Sequence, residues 1–301
     1  MATTKNVKRN TNRKPSVSLI GAGRLGSALA MALQSAGYQI VSLVGRSRQK
    51  LRKTAKLLDV SCRLLVAKEL AKGRVGDLII VSVPDDQIVT VAGDLAKIKG
   101  NGHPTVLHTS GALSSKVFDS LAANGWHTGS IHPLASVSNP VTGAEALRNA
   151  YWCIEGDAVA IRVAKQVVRD LGARSFSLKS EDKPLYHAAA VMTSGNATAL
   201  FDVAVEMLER CGISRRRGQK MLVPLLESNT LNLSRSAPED ALTGTFARGD
   251  LATVRMHLSA LKGKDLDEAL QLYRLLGKRS IELVKNKIDP ETADEIDRLL
   301  G

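Results

Sequence analysis

Ser16-Val17-Ser18-Leu19-Ile20-Gly21-Ala22-Gly23-Arg24-Leu25-Gly26 is the stretch that decides the fold. A short β-rich run leads directly into G-x-G-x-x-G, and the residues beyond it have helical period: Leu25, Ala28, Leu29, Ala32, Leu33 and Ala36 recur at steps of three and four. Gly37 stops that helix. A bare G-x-G-x-x-G says little, but between a strand and a helix each glycine has a physical task. Gly21 permits the tight turn, Gly23 lets backbone approach a pyrophosphate, and Gly26 allows the helix to pack on the strand. The N–H groups of Arg24 and Leu25 then open a helix whose positive dipole end favours phosphate.

Working outward, runs of strand character alternate with helical stretches. They are 16–20, 40–44, 77–83, 105–108, 127–132, 151–155 and 174–178. Such alternation is that of a parallel sheet wound with helices. From about residue 184 the strands cease and the period is helical, with Leu200, Val203, Ala204, Met207, Leu208 and Cys211 on one face. The expected class is α/β: a Rossmann doubly wound, mainly parallel sheet followed by a mostly α-helical C-terminal domain. The boundaries expected are a disordered basic tail over 1–15, a dinucleotide-binding domain over 16–180 and a helical substrate or dimerisation domain over 181–301.

Cofactor choice turns on the end of the second strand, where NAD-binding domains carry an acidic residue for the ribose 2′-hydroxyl. Here the chain reads Val44-Gly45-Arg46-Ser47-Arg48. Guanidinium groups in place of a carboxylate suit a 2′-phosphate, so NADP(H) is favoured over NAD(H). Arg46 and Ser47 are the candidates. Ser47 also suits the cap of the next helix, and the arginines suit an ordinary solvated face. Val83 and Pro84 end another strand at the same carboxyl edge, as a backbone contact to the cofactor or as a plain turn.

His108 and Ser110 follow the strand 105–108, and His132 ends the strand 127–132. Hydride transfer to a carbonyl or imine needs a placed acid, a task histidine performs near neutral pH. Ser110 suits a substrate oxygen. Lys183 and His187, four apart, share a helix face, and Ser194 and Asn196 add polar groups to the same small-residue segment. For each histidine a structural role stands beside the catalytic one. Thr243, Arg248 and Asp250 lie in a glycine-bearing loop, where Asp250 has the simpler task of capping the helix from Leu251.

Charge and composition narrow the rest. The net charge of +13 admits nucleic acid, acidic membrane surfaces or anionic small molecules, but aromatic residues are only 3% of the chain, too few for stacking platforms. Nucleic-acid binding is therefore disfavoured; the tail itself reads as a solvated extension. Cys62, Cys153 and Cys211 are few and far apart, so neither a disulfide framework nor a metal site is expected. No uninterrupted apolar run suggests a membrane span, and a cytoplasmic location is the expectation.

GAGRLG, VPD, HTSGAL, SIHPL, LYHAAAVMTSGN and ALTGTFARGD, in that order from Ser16 onward, resemble a bacterial family that joins a Rossmann-like domain to a helical C-terminal domain of unknown function. The layout is similar to that of pyrroline-5-carboxylate reductase, 6-phosphogluconate dehydrogenase and ketopantoate reductase. The resemblance implies an NADP-dependent oxidoreductase fold and a homodimer built through the helical domain; it supplies no substrate. The family pattern has Gly-Pro where this chain has Gly244-Thr245. The Lys-x-x-x-Asn pair of the hydroxyacid dehydrogenases is not reproduced, because Asn196 stands far beyond Lys183. The functional expectation is an NADP(H)-dependent reductase or dehydrogenase acting on a small anionic carbonyl, imine or hydroxy acid in an interdomain cleft. The alternative is an NADP(H)-binding or redox-sensing protein without turnover.

Overall fold

The computed structural model of the chain describes residues 13–72, 74–98, 102–262 and 265–301. Eight strands form one sheet in the order β3-β2-β1-β4-β5-β6-β7-β8. They are β1 (Val17–Ile20), β2 (Ile40–Gly45), β3 (Arg63–Val66), β4 (Leu78–Val81), β5 (Thr105–His108), β6 (His127–Pro133), β7 (Tyr151–Gly156) and β8 (Arg174–Ser177). The first six run parallel; β7 is antiparallel to β6 and parallel to β8. The order reverses between β1 and β4, which opens a crevice at their carboxyl ends, the place where such sheets bind ligands.

Helices α1 (Arg24–Ser35), α2 (Arg48–Leu58), α3 (Asp85–Leu95), α4 (Asp119–Ala123), α5 (Pro140–Asn149) and α6 (Ala158–Asp170) cover the sheet. The apolar face read from Leu29, Ala32 and Leu33 is buried on the core together with Val17, Leu19 and Ile80. Ile20, Ile79 and Val81 point to the other face, against Ile88, Phe118 and Leu121. Burial on both faces accounts for the near-continuous apolar strands.

The chain divides into two compact units, Met1–Met192 and Thr193–Gly301. Helix α7 (Lys183–Val191) belongs to the first, so the division falls later than the expected 180/181. The reason is Lys183, whose ammonium group is buried in the sheet unit rather than directed away from it. The second unit comprises α8 (Ala197–Glu209), α9 (Arg215–Leu233), α10 (Pro238–Ala241), α11 (Leu251–Lys262), α12 (Asp267–Val284) and α13 (Pro290–Leu300). Its core gathers Val254, Leu258, Ile281, Ile296 and Leu300. Asp250 accepts from the Thr253 N–H at 3.0 Å and hydroxyl at 2.7 Å, as a cap does.

Two further points bear on the expectations. Most of the basic tail, residues 1–12, lies outside the described residues, but Lys14 is held: its Nζ donates to the Ala36 carbonyl at 2.6 Å, pairs with Asp170 at 3.0 Å and lies over the Tyr38 ring. The helical stretch Ser180–Glu209 is long and apolar enough, by length and composition alone, to cross a membrane. Its apolarity comes from alanines and scattered Leu, Val and Met interrupted by Lys183 and His187, a mixture that a search for unbroken apolar runs passes over.

The glycine turn makes a testable distinction. A Cβ on Gly26 would drive into the Gly21 carbonyl oxygen, whereas one on Gly23 would meet nothing within 4 Å. Gly26→Ala is expected to cost about 1–3 kcal/mol in urea unfolding, and Gly23→Ala to leave stability within about 0.5 kcal/mol. Equal losses would contradict this packing.

Candidate active site

At the sheet's switch point Gly21 adopts φ +102° and donates its N–H to Val44 O at 2.8 Å. A side chain there would collide with the Ser82 carbonyl beyond β4. Gly21 and Gly26 are therefore glycines because protein atoms crowd them. Gly23 differs: the space over it is open, and no side chain caps α1, whose first residues are Arg24 and Leu25. A free helix start above an open glycine fits a pyrophosphate. Val83 lies against the turn, 3.0 Å from the place a Gly21 Cβ would take, and Pro84 stands at the N-cap of α3 rather than inside its first turn.

At the end of β2, Arg46 is exposed and Ser47 caps α2, its Oγ accepting from the Lys50 N–H at 3.4 Å. Arg48 is committed elsewhere, with its guanidinium 2.7 and 2.8 Å from the two carboxylate oxygens of Glu69. Glu69 also accepts from the Val66 N–H at 2.9 Å and so ties α2 to the end of β3. Of the two arginines, Arg46 has the open position for a 2′-phosphate.

The chemical candidates gather at the ends of β5 and β6. His108 is wholly buried, accepts from the Ser110 N–H at 3.2 Å and packs edge-on against Phe118. Burial holds its pKa down to about 4, assisted by Lys183 and partly offset by the Ser114 carbonyl. The Ser110 hydroxyl donates to Asp85 at 2.8 Å and accepts from the N–H groups of Ala112 and Leu113 at 3.2 and 3.0 Å. Those bonds shape the turn after β5. Lys183, also fully buried, donates to the Ser110 carbonyl at 3.3 Å and to Ser130 Oγ at 2.9 Å. His108, Ser110 and Lys183 thus lie beneath the surface of the site.

Half-exposed above them are His132, Tyr186 and His187. His132 Nδ1 is 2.7 Å from the Tyr186 hydroxyl, and its ring meets His187 edge-on at 5.5 Å. Burial lowers the His132 pKa to about 4, with His187, Lys183 and His108 adding repulsion; burial raises that of Tyr186. Both imidazoles close over Gly111. A Cβ there would strike His187 Nδ1 and come within 2.9 Å of His132 Nε2. Asn196 belongs to the second unit, at the end of the π-helical turn Met192–Asn196. Among the described residues no cluster of His, Cys, Asp or Glu has metal-binding form.

Tyr186, Gly111, Asp85 and Glu155 were not singled out from the sequence. Tyr186 stands beside His187 in the segment already flagged, and Gly111 beside Ser110, so adjacency was the available signal.

Residues 2–133 match the model of a Rossmann-like domain, and residues 150–280 match that of a domain of unknown function, DUF2520. The chain has this two-domain layout. A Thermotoga maritima protein superimposes with a TM-score of 0.70 at 23% identity, over 90% of this chain and 99% of that one. A Plasmodium falciparum pyrroline carboxylate reductase, solved with NADP bound, gives 0.57 at 12% identity over 95% and 98%. A reductive aminase from Aspergillus terreus, in complex with NADPH and ethyl levulinate, gives 0.61 at 17% over 95% and 100%. These likenesses show the fold. No curated protein matches the chain.

His108 and His132 set a pH dependence. Both titrate near 4 when folded, against an ordinary value of 6.5. Between those values the unfolded chain binds more protons, so stability is present above pH 6.5 and is lost as pH falls toward 4. Thermal unfolding should show the melting temperature dropping across that window, with His108→Gln flattening part of the slope. A melting temperature constant from pH 7 to pH 4 would contradict the burial.

Proposed function

We propose that this protein is an NADP(H)-dependent reductase of a small carbonyl or imine compound. The open, uncapped helix start over Gly23 carries the reading. It leaves room for a diphosphate where Gly21 and Gly26 leave none. Arg46 and Ser47 stand where a 2′-phosphate would fall, with no carboxylate at that strand end to favour NAD. The solved relatives named above with NADP or NADPH support the same cofactor. When bound, that cofactor supplies hydride.

The chain's own share of the chemistry is the proton. With Tyr186 donating to Nδ1, neutral His132 carries its hydrogen on Nε2, on the side shared with His187. Once protonated by solvent at Nδ1, His132 would give its Nε2 proton to the substrate heteroatom and return to the neutral imidazole, with the Tyr186 hydroxyl steadying the ring. His187 shares the reacting end, while Ser110 and Lys183 hold the turn beneath it. The net charge of +13 favours an anionic substrate.

We extend the proposal to a homodimer through the helical unit. Leu225 of α9 is 66% exposed, and Leu200, Leu226 and Met221 are also exposed, an apolar display that a second copy would cover. Light scattering on the purified protein should give twice the chain mass; a single-chain mass at micromolar concentration would reject the dimer.

Calorimetry is expected to show NADPH binding tighter than NADH, with Arg46→Ala weakening NADPH about tenfold or more and leaving NADH nearly unchanged. A panel of keto acids and imines should then oxidise NADPH. Tight NADPH binding without turnover across the panel would replace the reductase by a binding protein, and no binding of either nucleotide would end both readings.

A further inference from the structure

Glu155 is a buried carboxylate that the chemistry above does not use. It sits on β7 with 7% of its surface exposed. Its oxygens accept from the Ser115 N–H at 2.8 Å, the Ser115 hydroxyl at 2.7 Å, the Ser180 hydroxyl at 2.8 Å and the Ser130 hydroxyl at 3.3 Å. Those serines come from three places: the turn after β5, the strand β6 and the turn before α7. A buried carboxylate costs several kcal/mol unless it is paired and hydrogen-bonded, so three converging segments need a reason.

Ser130 supplies one. Its hydroxyl donates to Glu155 and accepts from Lys183 Nζ at 2.9 Å, so a single oxygen links anion to cation. Lys183 spends another N–H on the Ser110 carbonyl. Ser110 adjoins Gly111, the residue over which His132 and His187 close. A continuous chain of contacts therefore runs from Glu155 to the two imidazoles.

We propose that Glu155 is a positioning residue of this site, acting through Ser130 on Lys183 and so fixing the Ser110–Gly111 turn beneath His132 and His187. The proposal rests on the reading of those histidines as the reacting end. A buried ammonium group leans toward neutrality. Burial lowers the Lys183 pKa, while Cys153 and Glu155 from β7 and Asp85 from α3 oppose that fall. His108 from β5 and His132 from β6 face the same charge. Without the Glu155 carboxylate the amine would more readily shed its proton, and its bond to the Ser110 carbonyl would lose charge assistance.

The test follows Lys183 itself. Its side-chain 13Cε and 15Nζ resonances, assigned by their loss in Lys183→Met, are titrated in the native protein, in Glu155→Gln and in Ser130→Ala. Glu155→Gln should raise the lysine's acid dissociation constant about tenfold or more, and Ser130→Ala should shift it in the same direction. The Gly111 amide resonance should move with it in both variants. If Glu155→Gln does not fold, Ser130→Ala decides alone. An unchanged lysine titration, or a Gly111 amide that stays in place, in a folded variant would overturn the proposal. Failure of the native protein to bind NADPH would instead defeat the functional reading, and the lysine titration would still judge Glu155.

Discussion

The close seating of Gly26 on the Gly21 carbonyl is the constraint on which the cofactor half of the molecule depends. It draws the start of α1 down onto the end of β1, so that the helix opens directly over the crevice between β1 and β4. Gly21, in its left-handed conformation, passes the Ser82 carbonyl at a distance no side chain would allow. With both neighbours filled by backbone, the open space is confined to Gly23. The same sheet carries β5 and β6 in parallel register beside β4, so His108 and Ser130 are direct neighbours across the ladder.

A second constraint works from below. Lys183 is the first residue of α7, yet its ammonium group is buried against the turn after β5 and the middle of β6. That tether draws α7 onto the sheet unit and carries Tyr186 and His187, one turn later, over Gly111 and His132. The buried charge is sustained by hydroxyls and by Glu155 rather than by direct ion pairing. Such networks are costly when incomplete and specify one arrangement when every member is satisfied. The site thus has a dry, hydrogen-bonded floor and a half-exposed upper layer of three aromatic rings.

How much of this was legible in the sequence depends on how local each signal was. The strand-turn-helix around Gly21 was readable because its glycines, apolar strand and helical period all fall within twenty residues. Strand β3 was missed: Arg63–Val66 is four residues at the sheet's edge, and its three apolar residues, none of them buried, follow an exposed arginine without the turn signals that bound an inner strand. Arg46 and Arg48 were indistinguishable by type, and only Glu69, far along the chain, separates them. Lys183 and His187 read as polar groups on an apolar segment, but four-residue spacing cannot tell which is buried. Glu155 gave no signal, since its partners Ser115, Ser130 and Ser180 are scattered and serines are common. Ser110 shows the opposite case: its hydroxyl, read as a substrate contact, is engaged by Asp85 and two backbone N–H groups.

The central claim is that backbone N–H groups at the glycine turn receive a dinucleotide diphosphate. Amide-resolved NMR of the labelled protein during NADPH addition tests it most directly. The account predicts that the largest shifts fall on the amides of Ala22, Gly23, Arg24 and Leu25, saturating together with smaller changes near Arg46 and Val83. Saturable binding that leaves those four amides unmoved would contradict it.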